Sequence, residues 1–197
     1  LAVSFVTTVM LTGLLRTAAL QIGFLDKPVA RSSHSSPTPL GGGFAVVFLV
    51  FIASAHAFHA GQLEKGFFLS LFGAYAVAAV GLIDDLKNVH AIWRIPLHFG
   101  AALWSLFWLG EIPALDFGLF IILNQSVLIP LALLALVWLT NLFNFMDGID
   151  GLAGSELFFV TGFSLAAGIS GMDGGRSELL TVACASAAGC LVWNWHP

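Results

Sequence analysis

Apolar residues along this chain fall into long blocks that are separated by short polar connections. Seven blocks cover approximately residues 1–20, 41–58, 67–83, 95–110, 127–143, 152–169 and 178–193. Blocks of roughly 17 to 25 apolar residues can cross a bilayer as helices, and flanking residues help the shorter ones. The pattern therefore predicts an all-α, polytopic transmembrane helix bundle with about seven spans. Between the fourth and fifth blocks, residues 114–126 indicate a short hairpin or a surface segment.

Composition strengthens the membrane interpretation and removes other classes. The chain is 58% hydrophobic and only 9% charged, whereas a soluble domain is about a quarter charged. A formal charge of -4 with no basic stripe argues against a nucleic-acid partner. Cys184 and Cys190 lie in an apolar block, match no metal-binding spacing, and are interpreted as small core residues. With no internal repeat, residues 1–197 are predicted to form a single integral membrane domain.

The distribution of basic residues predicts the orientation of the spans. If every block crosses once, the odd-numbered connections share one side of the membrane. Four basic residues lie in these connections and two in the even-numbered ones: Lys27, Arg31, Lys87 and Arg94 against Lys65 and Arg176. Because excess Lys and Arg mark the cytoplasmic side, the N-terminus is expected outside. The polar stretches that carry candidate chemistry are all predicted to face the cytoplasm.

The first of these stretches, "GLIDDLKN", places Asp84 and Asp85 directly after an apolar block. A charge at the bilayer centre costs at least about 2.5–3.5 kcal/mol, but that cost falls near a helix end. A solvated stop at the membrane edge is the ordinary explanation. The functional one is Mg²⁺ binding, since Mg²⁺ takes one or two carboxylates plus substrate phosphates. Arg94 follows and suits a phosphate group, whereas His98 is more typical of packing.

The stretch "NLFNFMDGIDGLAG" carries amides and carboxylates at every third position, namely Asn141, Asn144, Asp147 and Asp150. On a continuous helix this spacing gives a drifting polar stripe. Gly148 and Gly151 favour a break in that helix, which would turn the carboxylates toward a ligand. Four such groups at one span end exceed what a helix cap requires.

A third stretch, "DKPVARSSHSSPTPLGGG", holds Lys27, Arg31 and His34 before a run of three glycines. A helix that begins with glycine amides attracts phosphate, and a plain basic cytoplasmic loop is the alternative. The terminal "WNWHP" contains Trp193 and Trp195, which are typical of interfacial aromatics.

Along the chain these stretches follow one another as "RSSHSSPTPLGGG", "GLIDDLKN", "NLFNFMDGIDGLAG" and "WNWHP". In this order they resemble the polyprenyl-phosphate N-acetylhexosamine-1-phosphate transferases of glycosyltransferase family 4. The motifs "RSSH" and "NFMDGIDG" are most similar to those of the bacterial enzymes that start the synthesis of O-antigen or other surface glycans. The resemblance implies transfer of a sugar 1-phosphate from a UDP-N-acetylhexosamine to undecaprenyl phosphate, with release of UMP. It also implies Mg²⁺, with Mn²⁺ as an alternative, and a site at the cytoplasmic face of the bacterial inner membrane. A homodimer is left open.

The resemblance also implies roles for individual residues. Asp84 and Asp85 match the catalytic acidic pair beside the reacting phosphates, and Asn144 matches a Mg²⁺ ligand. The positions that match or adjoin the nucleotide-sugar and diphosphate site are Arg94, Asn141, Asp147 and Asp150. The substrate-proximal first loop carries Lys27, Arg31 and His34.

Some positions depart from the family pattern. Asn88 stands where some members carry a third acid, and Leu40 stands where relatives often have Arg. The family continues beyond the position of Pro197 with a segment that holds a second metal-ligand Asp, and later with a His-rich loop. We therefore expect an N-terminal fragment that is inactive by itself.

Other classes fit the residues less well. Membrane prenyltransferases use D-D-x-x-D, and Asn88 occupies its fifth position here; CDP-alcohol phosphotransferases need an Arg that "DGIDGLAG" lacks. A transporter, the non-enzyme alternative, would place ionisable groups near the bilayer midplane and often shows inverted repeats. For the donor sugar, GlcNAc, FucNAc and QuiNAc fit equally.

The predicted topology places Asp84 and Asp147 on the same side of the membrane. Single cysteines at these two positions, with Cys184 and Cys190 replaced by alanine, should react with a membrane-impermeant thiol reagent from the cytoplasmic side only. Labelling of the two positions from opposite sides would contradict the count of seven crossings.

Overall fold

The computed structural model describes residues 1–26, 38–87, 89–146, 149–168 and 174–195. Within these ranges it contains seven helices, in the order that the apolar blocks predict. They are α1 (Ala2–Ile22), α2 (Phe44–His59), α3 (Lys65–Lys87), α4 (Ala91–Leu109), α5 (Gln125–Met146), α6 (Leu152–Ala166) and α7 (Gly174–Asn194). The predicted all-α helix bundle is confirmed.

The helices differ in how well they suit a bilayer. Within the described ranges, α1, α3 and α5 are long and apolar enough to cross a membrane by length and composition, and α2 and α6 are shorter apolar helices. Their outward faces expose large hydrophobic side chains, such as Met10, Phe51 and Trp138. Such faces are stable against lipid rather than water, so the protein is a membrane protein.

Two short antiparallel ladders close the longest connections. Strand β1 (Leu25–Asp26) pairs with β2 (Thr38–Pro39), so the two ends of the first connection meet between α1 and α2. The residues between these strands, 27–37, lie outside the described ranges.

The second ladder joins β3 (Leu115–Asp116) to β4 (Ile121–Ile122) and confirms the hairpin predicted for this connection. The backbone N–H of Gly118, a glycine with φ of 75°, donates to the Asp116 carboxylate at 2.7 Å. Glycine adopts this left-handed conformation readily, which explains the tight turn. The Gln125 side chain holds the loop to α5, because it accepts from the N–H and donates to the C=O of Ile112.

The helices form two compact units, Leu1–Leu63 with Asn144–Pro197, and Glu64–Phe143. The prediction of a single domain stays a prediction. In the first unit, α1, α2 and α6 all pack against α7. Apart from Leu179, the buried residues of α7 are small, and they include Cys184, Ala185, Ser186, Ala187 and Gly189. Small residues let helix backbones approach closely, which is how helices associate in lipid.

Gly189 shows how close this approach is. A Cβ atom added there would lie 2.7 Å from the Phe5 carbonyl oxygen and 2.9 Å from Thr8 Cβ. Cys184 is buried in the same helix, and the Cys190 thiol lies 3.8 Å from the Gly42 carbonyl oxygen. Both cysteines are free thiols, in agreement with their interpretation as small packing residues.

In the second unit, α3 packs against α4. A Cβ atom at Gly73 of α3 would collide with the Ser105 hydroxyl and with the Ala101 carbonyl oxygen of α4. The Ser105 hydroxyl donates to the Ser70 carbonyl at 2.8 Å, and Trp104 Nε1 donates to the Leu69 carbonyl at 2.9 Å. This glycine contact and the two hydrogen bonds set the separation of α3 and α4.

Substitution of Gly73 by alanine should therefore destabilise the protein by about 1–3 kcal/mol, because the added methyl group overpacks the α3–α4 contact. The matched control is Gly81→Ala in the same helix, where an added Cβ meets nothing within 4 Å. Thermal unfolding in detergent should show a lower midpoint for the first variant only. Equal midpoints for both variants would contradict the packing.

Candidate functional site

The acidic pair lies in the last turn of α3. The apolar block ends near residue 83, but the helix continues to Lys87 and so carries Asp84 and Asp85 on helical backbone. Asp84 is partly buried and Asp85 is exposed. Carboxylates at this end of a helix are disfavoured, because the helix dipole is negative there.

Arg94 lies in the first turn of α4 and forms an ion pair with Asp84. Its Nη1 group donates to Asp84 Oδ2. The two side chains are only 25% and 20% exposed, so water screens the pair less than it screens a surface ion pair. The structure thus brings two residues of the predicted site into direct contact.

The positions of these two charges are unfavourable for the helices that carry them. The Asp84 carboxylate is at a negative helix end, and the Arg94 guanidinium is at a positive one. Each such placement costs about 0.3–1 kcal/mol at an exposed site. An arginine at the end of α3 and an aspartate at the start of α4 would be more favourable for both helices. The ion pair between the two side chains opposes this cost, and a role of the pair in binding or chemistry stays a prediction.

The first turn of α4, which carries Arg94, lies between the helix N-cap and a proline. His90 is the N-cap of α4, and its Nδ1 accepts from the Ile92 N–H at 3.5 Å. Pro96 lies inside the helix and has no N–H to donate to the Ile92 carbonyl. One turn after Arg94, His98 is buried, as expected for a packing histidine.

The polar stripe predicted for residues 141–150 begins on α5. The Asn141 amide nitrogen donates to the Val137 carbonyl of its own helix at 2.8 Å, and this bond orients the side chain. Asn144 lies one turn further on and is exposed. Residues three apart lie on neighbouring positions of one helix face, so both amides project from the same side of α5.

The predicted break in this helix is confirmed. Helix α5 ends at Met146, and Gly151, with φ of 73°, is the N-cap of α6. The turn is held by two backbone bonds, from the Ile149 N–H to Met146 and from the Leu152 N–H to Ile149. Asp150 is exposed on this turn. Since glycine adopts positive φ readily, Gly151 lets the chain reverse directly after the carboxylate.

The other predicted site residues divide as follows. Asp84, Asp85, Arg94 and Asn141 belong to the second unit, and Asn144 and Asp150 belong to the first. Lys27, Arg31, His34 and Asp147 lie outside the described ranges. The meeting of all these groups at one membrane surface stays a prediction.

The donor atoms present suit a magnesium ion that is shared with a substrate. Across the described part of the chain, no three His, Cys, Asp or Glu residues gather into a metal cage. Mg²⁺ does not need one, because it binds one or two carboxylates together with substrate phosphates and water. Asp84 and Asp85 are adjacent carboxylates of the kind that this arrangement uses, and Mg²⁺ binding stays a prediction.

One contact of the Asp150 turn was missed by the sequence reasoning. A Cβ atom at Gly151 would lie 3.3 Å from the Trp195 ring. The structure thus joins the "MDGIDG" stretch to the terminal "WNW" stretch. The only signal in the sequence is the glycine, since the partner ring is distant along the chain.

Comparison of the sequence with known protein families gives one match. The profile of the family described as "Glycosyl transferase family 4" matches residues 67–197. The match includes the acidic pair, Arg94 and the stretch from Asn141 to Asp150.

Three bacterial relatives are similar to this chain. A "Probable undecaprenyl-phosphate N-acetylglucosaminyl 1-phosphate transferase" of Bacillus subtilis is 28% identical over 99% of this chain and 54% of its own length. A "Decaprenyl-phosphate N-acetylglucosaminephosphotransferase" of Mycobacterium tuberculosis is 32% identical over 75% of this chain and 39% of its own length. An "Undecaprenyl-phosphate alpha-N-acetylglucosaminyl 1-phosphate transferase" of Thermotoga maritima is 27% identical over 93% of this chain and 52% of its own length. The chain thus spans about half or less of the length of these curated relatives.

A double-mutant cycle tests the Asp84–Arg94 ion pair. Asp84→Asn and Arg94→Gln should each lower the unfolding midpoint in detergent, and the double variant should lose less than the sum of the two. The expected coupling is about 0.5–3 kcal/mol, since contacting residues in a cycle typically couple by this amount. The same cycle on Asp116 and Arg94, which lie toward opposite ends of α4, is the control for non-specific charge effects. Additive losses for Asp84 and Arg94 would show that the pair does not form.

Proposed function

The chain belongs to glycosyl transferase family 4, and on this basis we propose that the protein transfers a sugar 1-phosphate from a UDP-N-acetylhexosamine to undecaprenyl phosphate or another polyprenyl phosphate, releasing UMP. The single observation that carries the proposal is the Asp84–Arg94 pair, whose charges are kept at the helix ends that disfavour them. A diphosphate is the kind of ligand that such a pair can exchange partners with.

The names of the relatives support the lipid acceptor and the sugar phosphate that is transferred. All three carry an undecaprenyl or decaprenyl phosphate and an N-acetylglucosamine phosphate in their names. The apolar helices of this chain suit a lipid-linked acceptor. The reaction is the first membrane step in building a surface polysaccharide, such as an O-antigen, or a cell-wall glycan. The active site faces the cytoplasm at the bacterial plasma membrane, and the N-terminus lies on the other side.

Arg94 has a specific part in binding the donor. Its guanidinium offers planar N–H donors that match the oxygens of a phosphate group. When the diphosphate arrives, it competes with the Asp84 carboxylate for these donors. Exchange of partners leaves Asp84 free to act on the acceptor.

The chemistry is a direct in-line displacement at phosphorus. An oxygen of the lipid phosphate attacks the β-phosphorus of the UDP-sugar and forms a new P–O bond. The bond from the β-phosphorus to the bridging oxygen breaks, and UMP leaves with that oxygen. A phosphate monoester has a second pKa of about 6, so the acceptor is mostly dianionic at neutral pH. Asp84 or Asp85 orients it or takes its remaining proton.

The reaction also needs neutralisation of the negative charge on the phosphate groups. Phosphoryl transfer depends mainly on positioning and on stabilisation of charge. Asn144 would hold Mg²⁺, or Mn²⁺ in its place, beside the reacting phosphates. The ion, when bound, neutralises charge on the diphosphate and on departing UMP. Asn141, Asp147 and Asp150 bind the nucleotide sugar, and the loop with Lys27, Arg31 and His34 lies next to the substrates.

A transfer assay on the full-length protein tests the proposal. Detergent-solubilised protein with radiolabelled UDP-N-acetylglucosamine, undecaprenyl phosphate and Mg²⁺ should yield a labelled lipid and UMP. Asp84→Asn and Asp85→Asn should each lower kcat/KM by about 100-fold or more, as expected for loss of an acid–base group. EDTA should stop the reaction, and added Mg²⁺ should restore it.

The matched control is Asp116→Asn, which changes another carboxylate to an amide in the β3–β4 hairpin. Asparagine retains an oxygen that accepts from the Gly118 N–H, so this variant should keep wild-type activity. The assay is repeated with the UDP derivatives of FucNAc and QuiNAc. Absence of a labelled lipid with all three donors would overturn the proposal. A trapped phosphorylated aspartate would replace the direct displacement by a two-step route.

A further inference from the structure

Two tryptophans, Trp193 in the last turn of α7 and Trp195 just after it, contact different parts of the first unit. Trp193 Nε1 donates to the Val9 carbonyl of α1 at 2.8 Å. Its ring lies over Gly13, where an added Cβ would be only 2.8 Å from a ring carbon. The Arg16 guanidinium lies 5.8 Å from the centre of the same ring. These contacts fix the end of α7 against α1.

Trp195 extends from this fixed end to the Asp150 turn. Its backbone N–H donates to the Leu191 carbonyl at 3.0 Å and so continues the hydrogen bonding of α7. Its ring lies against Gly151, at 3.3 Å from the position of an added Cβ, and the Asn194 carbonyl oxygen lies 3.7 Å from that position. The ring thus covers the backbone that immediately follows Asp150.

The turn needs such an external contact. Glycine loses more conformational freedom on ordering than any other residue, and Gly151 is held at φ of 73°. The bonds from the Ile149 and Leu152 amides fix only the local shape of the turn. The Trp195 ring, which follows the anchored end of α7, adds a contact from outside the turn to the backbone next to Asp150.

We propose that Trp195 is a positioning residue for nucleotide-sugar binding: it packs on Gly151 and holds the Asp150 turn ready for the donor. The identity of the ligand in this inference rests on the proposed function. The ordering of the turn by Trp195 rests only on the contacts described above. An ordinary interfacial tryptophan would anchor the protein in the membrane without acting on the turn. Trp195 is 62% exposed, so loss of its ring removes little buried core.

The test compares three variants of the full-length protein in detergent: Trp195→Ala, Trp195→Phe and Trp138→Ala. Trp138 is a 71% exposed tryptophan on α5 and serves as the matched control for loss of a lipid-facing indole. Hydrogen exchange of the 149–155 backbone amides measures order in the turn without any need for turnover. Steady-state kinetics with UDP-N-acetylglucosamine and undecaprenyl phosphate measure the effect on each substrate.

We expect Trp195→Ala to raise amide exchange at 149–155 and to raise the KM for the UDP-sugar about tenfold, with kcat and the lipid KM within about twofold. Trp195→Phe should recover most of both effects, since a six-membered ring can still cover Gly151. Trp138→Ala should match wild type. Unchanged exchange in Trp195→Ala would overturn the proposal, as would equal losses in both substrate KM values. If wild type shows no transfer, the proposed function and this ligand assignment fail together, while raised exchange would still establish that Trp195 orders the turn.

Discussion

Close approach of helix backbones at glycine is the contact on which both compact units depend. In a bilayer, apolar side chains gain little by leaving lipid for protein, so helices associate through short-range packing and hydrogen bonds. Gly189 lets α7 meet the backbone of α1, and Gly73 lets α3 meet α4. The same need explains why most buried residues of α7 in the first unit are small, such as Ala185, Ser186 and Gly189.

This packing has a direct consequence for the candidate site. Asp84 and Arg94 lie at adjoining ends of α3 and α4, and the separation of those helices decides whether their side chains can meet. The glycine contact at Gly73 lies in the middle of α3, far from the charges along the helix. A feature of helix packing thus controls the geometry of an ion pair whose own position is unfavourable for each helix.

Much of the fold was predictable, because hydrophobic blocks report helices through composition alone. All seven helices in the described part of the chain follow the blocks, and the end of α5 at Met146 agrees with the glycines that follow it in the sequence. The end of α3 was less predictable, since its last turn carries Asp84 and Asp85 beyond the apolar residues. The Trp195–Gly151 contact was not predictable, because a long-range contact leaves no local pattern. The roles of Asp84, Asp85, Asn144 and the other site residues come from the family resemblance and stay predictions.

The first turn of α4 also has a mechanical property. Arg94 is preceded by the His90 cap and followed by Pro96, whose missing N–H leaves the Ile92 carbonyl without its usual helical partner. Bending the helix at this point breaks fewer hydrogen bonds than bending it anywhere further along α4. The first turn of α4, which carries the guanidinium, therefore resists bending less than the part of the helix around Ala101 and Ser105 that meets α3.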